Sequence, residues 1–288
     1  MKKILIMGAN GYIGSHLTGY LCEQSSKYEV IASGRRNINI DKRASYIEYD
    51  IKQEFNSPQQ FAQYFGCPDI CVYLTWQDGF NHNAMSHMHD LYYHWNFIKQ
   101  MLDNGLSHLA VMGSFREYGI FCGAAREDLQ VTPDNFYVLA KDTLHKAIQL
   151  YIDNQHLNIC FQWIRPFSVY GDDELNNSIF SKILQWEKEG KEYFPCTLGV
   201  ERYDYIHIDE AVRQIEAIVS QTEVDGTINC CTGISTSLKN QIESFLKENK
   251  LKIRPQYGAF ARRNYDSDEI YGDRRKLDAI LEKRKCRN

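Results

Sequence analysis

Three glycines, Gly8, Gly11 and Gly14, separate a short apolar run, Ile4-Leu5-Ile6-Met7, from a segment whose apolar residues Ile13, Leu17, Tyr20 and Leu21 recur at helical spacing. An unbroken apolar run of this length suits a strand buried on both faces. Glycines in the turn that follows allow close approach of another group to the backbone. The first turn of the helix then presents N–H donors and the positive end of its dipole. Strand, glycine turn and amphipathic helix together make a cradle for a pyrophosphate, and few folds accommodate that unit.

The alternation continues along the chain. Val30-Ile31-Ala32-Ser33, Tyr46-Ile47-Glu48-Tyr49, Ile70-Cys71-Val72-Tyr73-Leu74, Leu109-Ala110-Val111-Met112 and Ile159 to Ile164 read as further strands. Long helices are expected over about His87–Asn104 and Phe136–Asn154. This order predicts an α/β fold, a doubly wound parallel sheet of the Rossmann type. After Pro166 the pattern loosens into a smaller C-terminal substrate lobe, residues 167–205 and 233–288. Residues 1–166 and 206–232 then form the dinucleotide-binding domain, with a helix over Asp209–Ser220 and a strand near Thr227–Cys231 returning to the sheet.

Composition excludes several function classes. The net charge is −4, and basic residues cluster only near Arg274-Arg275-Lys276 and Lys283-Arg284-Lys285, so the electrostatic footprint of a nucleic-acid binder is missing. No apolar stretch approaches the roughly 20 residues of a membrane span. Met1-Lys2-Lys3 leads into too few apolar residues for a signal peptide. The nine cysteines show no metal-knuckle spacing and read as reduced thiols, which places the protein in the cytoplasm.

The end of the second strand bears on cofactor choice. A carboxylate there accepts from the adenosine ribose of NAD; this chain has Ser33-Gly34-Arg35-Arg36. Arginine matches a 2′-phosphate in charge and geometry, so NADP(H) is favoured over NAD(H). Downstream, Tyr137 and Lys141 stand four apart at the start of a helix and share a face. An ammonium one turn from a phenol favours the phenolate and tunes the phenol as a proton donor. Ser114 closes the preceding strand.

The Gly-two-Gly-two-Gly spacing, the Ser114, Tyr137 and Lys141 set and the Ser-three-Tyr-Gly frame at Ser114–Gly119 resemble the extended short-chain dehydrogenase/reductase (NAD-dependent epimerase/dehydratase) family. The resemblance implies catalytic roles for those three residues. It adds Asn10, Tyr12 and Ile13 to the glycine cradle. It also implies cofactor contacts for Asp50-Ile51, Leu74-Thr75-Trp76, Asn96 and Pro166. Arg116, Ser168, Arg202 and Arg263 become substrate-side candidates: Arg263 precedes Asp273 at the spacing of an arginine that meets the substrate pyrophosphate in nucleotide-sugar epimerases, with Arg262 beside it. Tyr203 stands where relatives often carry arginine, and Ser168 where they carry asparagine.

Departures from the family narrow the chemistry. Sugar-nucleotide dehydratases carry an Asp-Glu pair after the catalytic Ser or Thr, where this chain has Phe115 and Arg116. Arg116 also occupies the place of the cysteine used by GDP-fucose-forming epimerase-reductases. What is left resembles the nucleotide-4-keto-6-deoxysugar 4-reductases, such as CDP-abequose and paratose synthases, of bacterial surface-polysaccharide pathways. The implied partner is a nucleotide sugar. A 4-epimerase with tightly bound NAD and a non-catalytic dinucleotide sensor are the alternatives. His82, His87, His89 and His94 read as a solvated or substrate-facing helix start rather than a metal site. Phe97, Met101, Leu144, Ile148 and Tyr151 suit either a homodimer bundle, as in relatives, or packing within one chain.

Overall fold

A computed structural model describes residues 1–55, 57–263 and 266–286. Its centre is a parallel sheet of β1 (Lys2–Met7), β2 (Tyr28–Gly34), β3 (Ser45–Glu48), β4 (Ile70–Tyr73), β5 (His108–Met112), β6 (Cys160–Pro166) and β7 (Gly226–Cys230), in the order β7-β6-β5-β4-β1-β2-β3. Order reverses between β1 and β4, and the C-terminal ends of strands at such a switch point form a crevice for ligands. β1 is flanked on both sides: Ile4 pairs with Val30 of β2 and with Ile70 of β4.

The period of two along β1 divides its side chains between two cores. Ile4 and Ile6 pack with Leu17 and Leu21 of the helix Tyr12–Cys22 and with Ile215 of the helix Ile208–Val219. Leu5 and Met7 pack with Phe97 and Met101 of the helix Leu91–Asp103 and with Leu144 and Ile148 of the helix Phe136–Asn154. Burying each such side chain stabilises the fold by roughly 1.5–3 kcal/mol. Phe97, Met101, Leu144 and Ile148 are thus packed within one chain, whereas Tyr92 and Leu150 on the same two helices are exposed.

The expected helix over 87–104 is two pieces, Ser86–His89 and Leu91–Asp103. Asp90 between them turns its carboxylate toward Lys52, 2.7 Å away, and accepts from the Gln77 side chain. A helix at Pro58–Tyr64, capped by Ser57, was not legible from apolar spacing.

The second lobe has its own core of Phe180, Ile183, Phe194, Ile242 and Phe245. A four-stranded sheet joins Thr236–Ser237, Arg202–Tyr203, Glu269–Gly272 and Gly123–Ala125. Asp204 ties these segments together. Its buried carboxylate accepts from Thr232 N–H and hydroxyl (2.8 and 2.6 Å), Gly233 N–H (2.8 Å) and Gly272 N–H (3.2 Å). The helix Arg275–Lys285 leaves this lobe, and its Leu277 and Ile280 sit in the core of the main sheet.

Candidate active site

The glycine turn has the geometry of a cradle. Gly8 adopts φ +81°, a conformation that L side chains rarely take, and a Cβ there would come within 2.9 Å of the Thr75 backbone nitrogen. A Cβ on Gly14 would lie 2.3 Å from the Gly8 carbonyl oxygen. Gly11 caps the helix without a side-chain bond, and the first turn holds no carboxylate, so the N-terminal amides of Tyr12 and Ile13 stand at an uncapped, electropositive helix end. Gly34 admits the Asn10 side chain, whose Oδ1 would be 2.2 Å from any Cβ there.

One cleft gathers Gly8, Asn10, Gly11, Arg35, Asp50, Ile51, Leu74, Thr75 and Trp76. Lys52, Gln77 and Asp90, which sequence spacing did not single out, and His94, read from sequence as part of a helix start, also line its walls. Arg36 is exposed and lies outside that lining, as do Asn96, half-buried on its helix, and Pro166, buried at the end of β6. The Tyr12 ring turns away to pack edge-on against His16, with 5.2 Å between centres. These residues suit a dinucleotide: the backbone is bare where a pyrophosphate needs it, and polar groups flank it at both ends.

Ser114, Tyr137 and Lys141 come together beside that cleft. Ser114 follows β5 and starts a short 3-10 turn, Phe115–Tyr118, through a capping box: its hydroxyl accepts from Arg116 N–H while Glu117 accepts from Ser114 N–H at 2.7 Å. Asn135 caps the next helix by accepting from Val138 N–H at 2.9 Å, which sets the orientation of Tyr137 and Lys141 one turn apart. Lys141 is buried. Its ammonium donates to the Met112 carbonyl at 2.6 Å and lies 4.1 Å from the centre of the Trp76 indole.

Burial pushes the Lys141 pKa down to about 8, against the opposing pull of Glu117. It pushes the Tyr137 phenol up, and the Ser114 hydroxyl bond pulls it back in part. Lys141, expected to favour the phenolate, is not among the groups that move this phenol; Ser114 and Arg116 are the groups that favour the phenolate, and loss of water outweighs them. Tyr137 is therefore a protonated phenol at neutral pH, bonded to Ser114.

Glu117 is fully buried and serves the interior. It pairs with Arg165 at 2.8 Å and accepts from the Trp163 indole N–H at 3.0 Å. A Cβ on Gly113 would strike Trp163 Nε1 at 2.3 Å. The Ser-x-x-Glu capping signature and an arginine inside a buried strand were the sequence signals for this pair.

On the substrate side, Arg116 lies over the Phe115 ring and reaches Asp266 at 3.4 Å. Arg263 is exposed. After burial, Arg116 and Arg263 are the largest influences that push His82 down to about 4, which puts both guanidinium groups near that imidazole. His82 is itself stacked on Tyr137, 5.4 Å between centres, and its carbonyl accepts from Tyr137 N–H at 2.9 Å. Arg202 instead donates to Ser235 Oγ (3.0 Å) and Glu269 (3.1 Å) within the lobe's own sheet. Arg262 pairs with Asp268, and Asp273 with Arg275. Ser168 is placed by strand pairing opposite Tyr205.

The four histidines divide: His89 is exposed and His82 half-buried beside Tyr137, whereas two are not solvated. His87 and His94 are buried against Trp76, and burial takes His94 down to about 3. Among the described residues no group of three or more His, Cys, Asp or Glu could hold a metal ion, no disulfide joins the cysteines, and no helix is long and apolar enough to cross a membrane.

Residues 4–231 match the NAD dependent epimerase/dehydratase family. The chain belongs to that family and is a nicotinamide-dinucleotide-dependent enzyme. It is 34% identical over 272 residues to a dTDP-6-deoxy-L-talose 4-dehydrogenase (NAD(+)) of Aggregatibacter actinomycetemcomitans, covering 94% of this chain and 99% of that one. It is 24% identical to a CDP-abequose synthase of Salmonella muenchen, over 93% and 87% of the two chains. Among solved structures, a UDP-glucose 4-epimerase from Thermotoga maritima superposes with a TM-score of 0.80 at 18% identity, over 96% and 91% of the chains. MoeE5 in complex with UDP-glucuronic acid and NAD gives 0.78 at 20%, over 97% and 92%. Those two likenesses establish the fold.

Proposed function

We propose that this enzyme reduces the C4 keto group of a nucleotide-linked 4-keto-6-deoxy sugar to an alcohol, a step that yields building blocks of surface polysaccharides. The observation that carries the reading is the phenol of Tyr137, held protonated and bonded to Ser114, in a site where the carboxylate that acts on that phenol, Glu117, is committed to Arg165. A proton donor for one oxygen is present, and the acid/base pair needed for elimination across C5 and C6 is absent among the described residues of that turn. The end-to-end likeness to a 4-dehydrogenase of a 6-deoxysugar nucleotide supports the same position, because oxidation at C4 and reduction of the 4-ketone are one reaction run in two directions.

When bound in the cleft, a nicotinamide dinucleotide would supply the hydride. Tyr137 gives its proton to the C4 oxygen as charge builds there. Ser114 donates to the same oxygen and favours that charge. Lys141 orients the phenol and the cofactor ribose, and its positive charge offsets the developing phenolate. Arg263 and Arg116 hold the diphosphate of the sugar nucleotide. Arg35, at the cofactor cleft, supports a preference for NADP(H); the 34%-identical relative named for NAD(+) defines the competing outcome. Two copies pair, in this reading, through the helices that leave Tyr92 and Leu150 exposed, which sedimentation would test.

The deciding experiment is turnover of a panel of nucleotide 4-keto-6-deoxy sugars with NADPH and with NADH, followed at the nicotinamide absorbance. Stoichiometric oxidation of reduced cofactor by at least one of them is expected. A purified protein that carries NAD and interconverts C4 epimers without net oxidation would replace this reading with an epimerase.

A further inference from the structure

The loop after β4 carries a tryptophan onto the catalytic lysine. The Lys141 ammonium lies 4.1 Å from the centre of the Trp76 indole. That indole is itself fixed. It stacks on His94 with 4.4 Å between centres and 12° between planes, and its Nε1–H donates to His87 Nδ1 at 3.1 Å. Each imidazole is anchored in turn. His87 Nε2 donates to the Asn81 carbonyl at 2.9 Å, and His94 Nδ1 shares a hydrogen bond of 2.7 Å with the Tyr73 hydroxyl. His87 accepts at one nitrogen and donates at the other, which is the pattern of a neutral ring.

The electron-rich face of an indole attracts an ammonium most strongly where water is excluded, and here Lys141, His87 and His94 are all buried. A lysine chain is a flexible stem with a point charge at its end. A ring face holds that charge without accepting its protons, so the N–H groups stay available to other acceptors. The same indole meets the Tyr137 ring edge-on, 6.1 Å between centres and 88° between planes.

The geometry points to Trp76, clamped by His87 and His94, as a positioning residue that fixes the Lys141 ammonium and, through the same ring, the Tyr137 phenol. Its part in proton transfer rests on the function proposed above; the contact itself does not. The titratable groups facing Lys141 are Tyr137 on its own helix, Glu117 from the turn after β5 and His94 from the helix Leu91–Asp103, while His87 of the short helix Ser86–His89 faces Tyr137 and His94.

Two measurements on the full chain test this. The first needs neither cofactor nor sugar: tryptophan emission is followed against pH, because an ammonium against the ring quenches an excited indole by proton transfer and a neutral amine does not, so emission rises as the lysine loses its proton. The parent should show an inflection at about pH 8, the titration of Lys141. That inflection should vanish in both Lys141→Met and Trp76→Phe. Trp186, with Lys191 at 4.0 Å from its ring, is retained in all three proteins and cancels in the difference. The second is the pH profile of single-turnover keto reduction. The step needs Lys141 charged, so its rate falls as pH rises through the lysine pKa. Removing the ring face in Trp76→Leu takes that pKa lower and should move the basic limb down by about one pH unit, a loss of about tenfold at a fixed pH on the limb. Trp76→Phe keeps a ring face and should restore most of the limb. A merely structural tryptophan would lower the rate by one factor at every pH. An emission inflection that survives in Lys141→Met, or a limb unmoved in Trp76→Leu, overturns the assignment. Failure to turn over any keto sugar would sink the proposed function and leave the emission result to decide the contact.

Discussion

The two halves of the site are built from different materials. At the cofactor end the shape comes from backbone and packing: Gly8 and Gly14 have no room for a Cβ, and Trp76 and His94 are stacked in place. At the substrate end the polar groups are charged side chains on short strands and loops, many already engaged with one another: Arg116 with Asp266, Arg202 with Glu269, Arg262 with Asp268, Asp273 with Arg275. A backbone cradle is fixed by the fold and tolerates little change. The more exposed of these pairs contribute about 0–1 kcal/mol each and exchange partners at small cost, while Arg116–Asp266 is part-buried. On the proposed function, the contrast teaches that this fold holds its dinucleotide end rigid and would leave substrate choice to interchangeable charges.

The comparison implies that catalysis can be removed without disturbing the cofactor end. Tyr137→Phe deletes one oxygen and keeps the ring that stacks on His82. Single-turnover oxidation of reduced cofactor should slow by on the order of 10²–10⁴, the usual contribution of a positioned acid, with dinucleotide affinity unchanged. A variant that turned over near the parent rate would break the assignment of Tyr137.

The junction of the halves is the buried Glu117–Arg165 pair. Glu117→Ala leaves a guanidinium without its partner inside the protein and should destabilise the fold by about 3–5 kcal/mol, read as the shift in denaturant midpoint. An effect below 1 kcal/mol would place this pair with the exchangeable ones of the substrate lobe.

Within that lobe, Arg263 and Arg202 should separate. If Arg263 holds the substrate diphosphate as proposed, Arg263→Ala removes a charge-assisted bond to phosphate and should raise KM by ten- to over a hundredfold, from roughly 1.5–3 kcal/mol, with kcat nearly constant. Arg202→Ala, whose guanidinium is engaged with Ser235 and Glu269, should leave KM within about twofold. Equal effects would mean that Arg202 exchanges its partners for the substrate.

The same contrast explains what was legible beforehand. Ile4 to Met7 and the glycine turn obey local rules, a period of two and steric room, so sequence alone located them. Ser114, Tyr137 and Lys141 were found because a family resemblance fixed their places around one strand and one helix. Residues that meet only through the tertiary fold were invisible. Lys52 and Asp90 stand far apart in the chain yet pair at 2.7 Å in the wall of the cofactor cleft. His87 and His94 misled for the same reason: polar residue types read as solvated, but Trp76 and Asn81 satisfy His87, and Tyr73 satisfies His94, inside the protein. Arg263 and Arg262 are neighbours in sequence, and only their different surroundings separate them: Arg262 reaches the Asp266 carbonyl at 2.6 Å, while Arg263 acts on His82.

The smallest expected effect lies at the rigid end, where two adjacent arginines divide. Arg35 lines the cofactor cleft beside Gly34, whereas Arg36 is exposed outside its lining. If Arg35 meets a 2′-phosphate, NADPH should bind at least about tenfold tighter than NADH, a difference of about 1.4 kcal/mol. Arg35→Ala should then erase that preference by weakening NADPH alone, since NADH lacks the phosphate. Arg36→Ala should change both affinities little. Because the contact is an exposed charge pair, the preference should shrink as salt is raised from low to physiological strength, where the screening length falls to about 8 Å. Titration of both cofactors against parent and variants at two ionic strengths measures all of this. An NADH preference in the parent that Arg35→Ala leaves intact would show that this guanidinium points into water and that the cleft, like the relative named for NAD(+), is built for the unphosphorylated ribose.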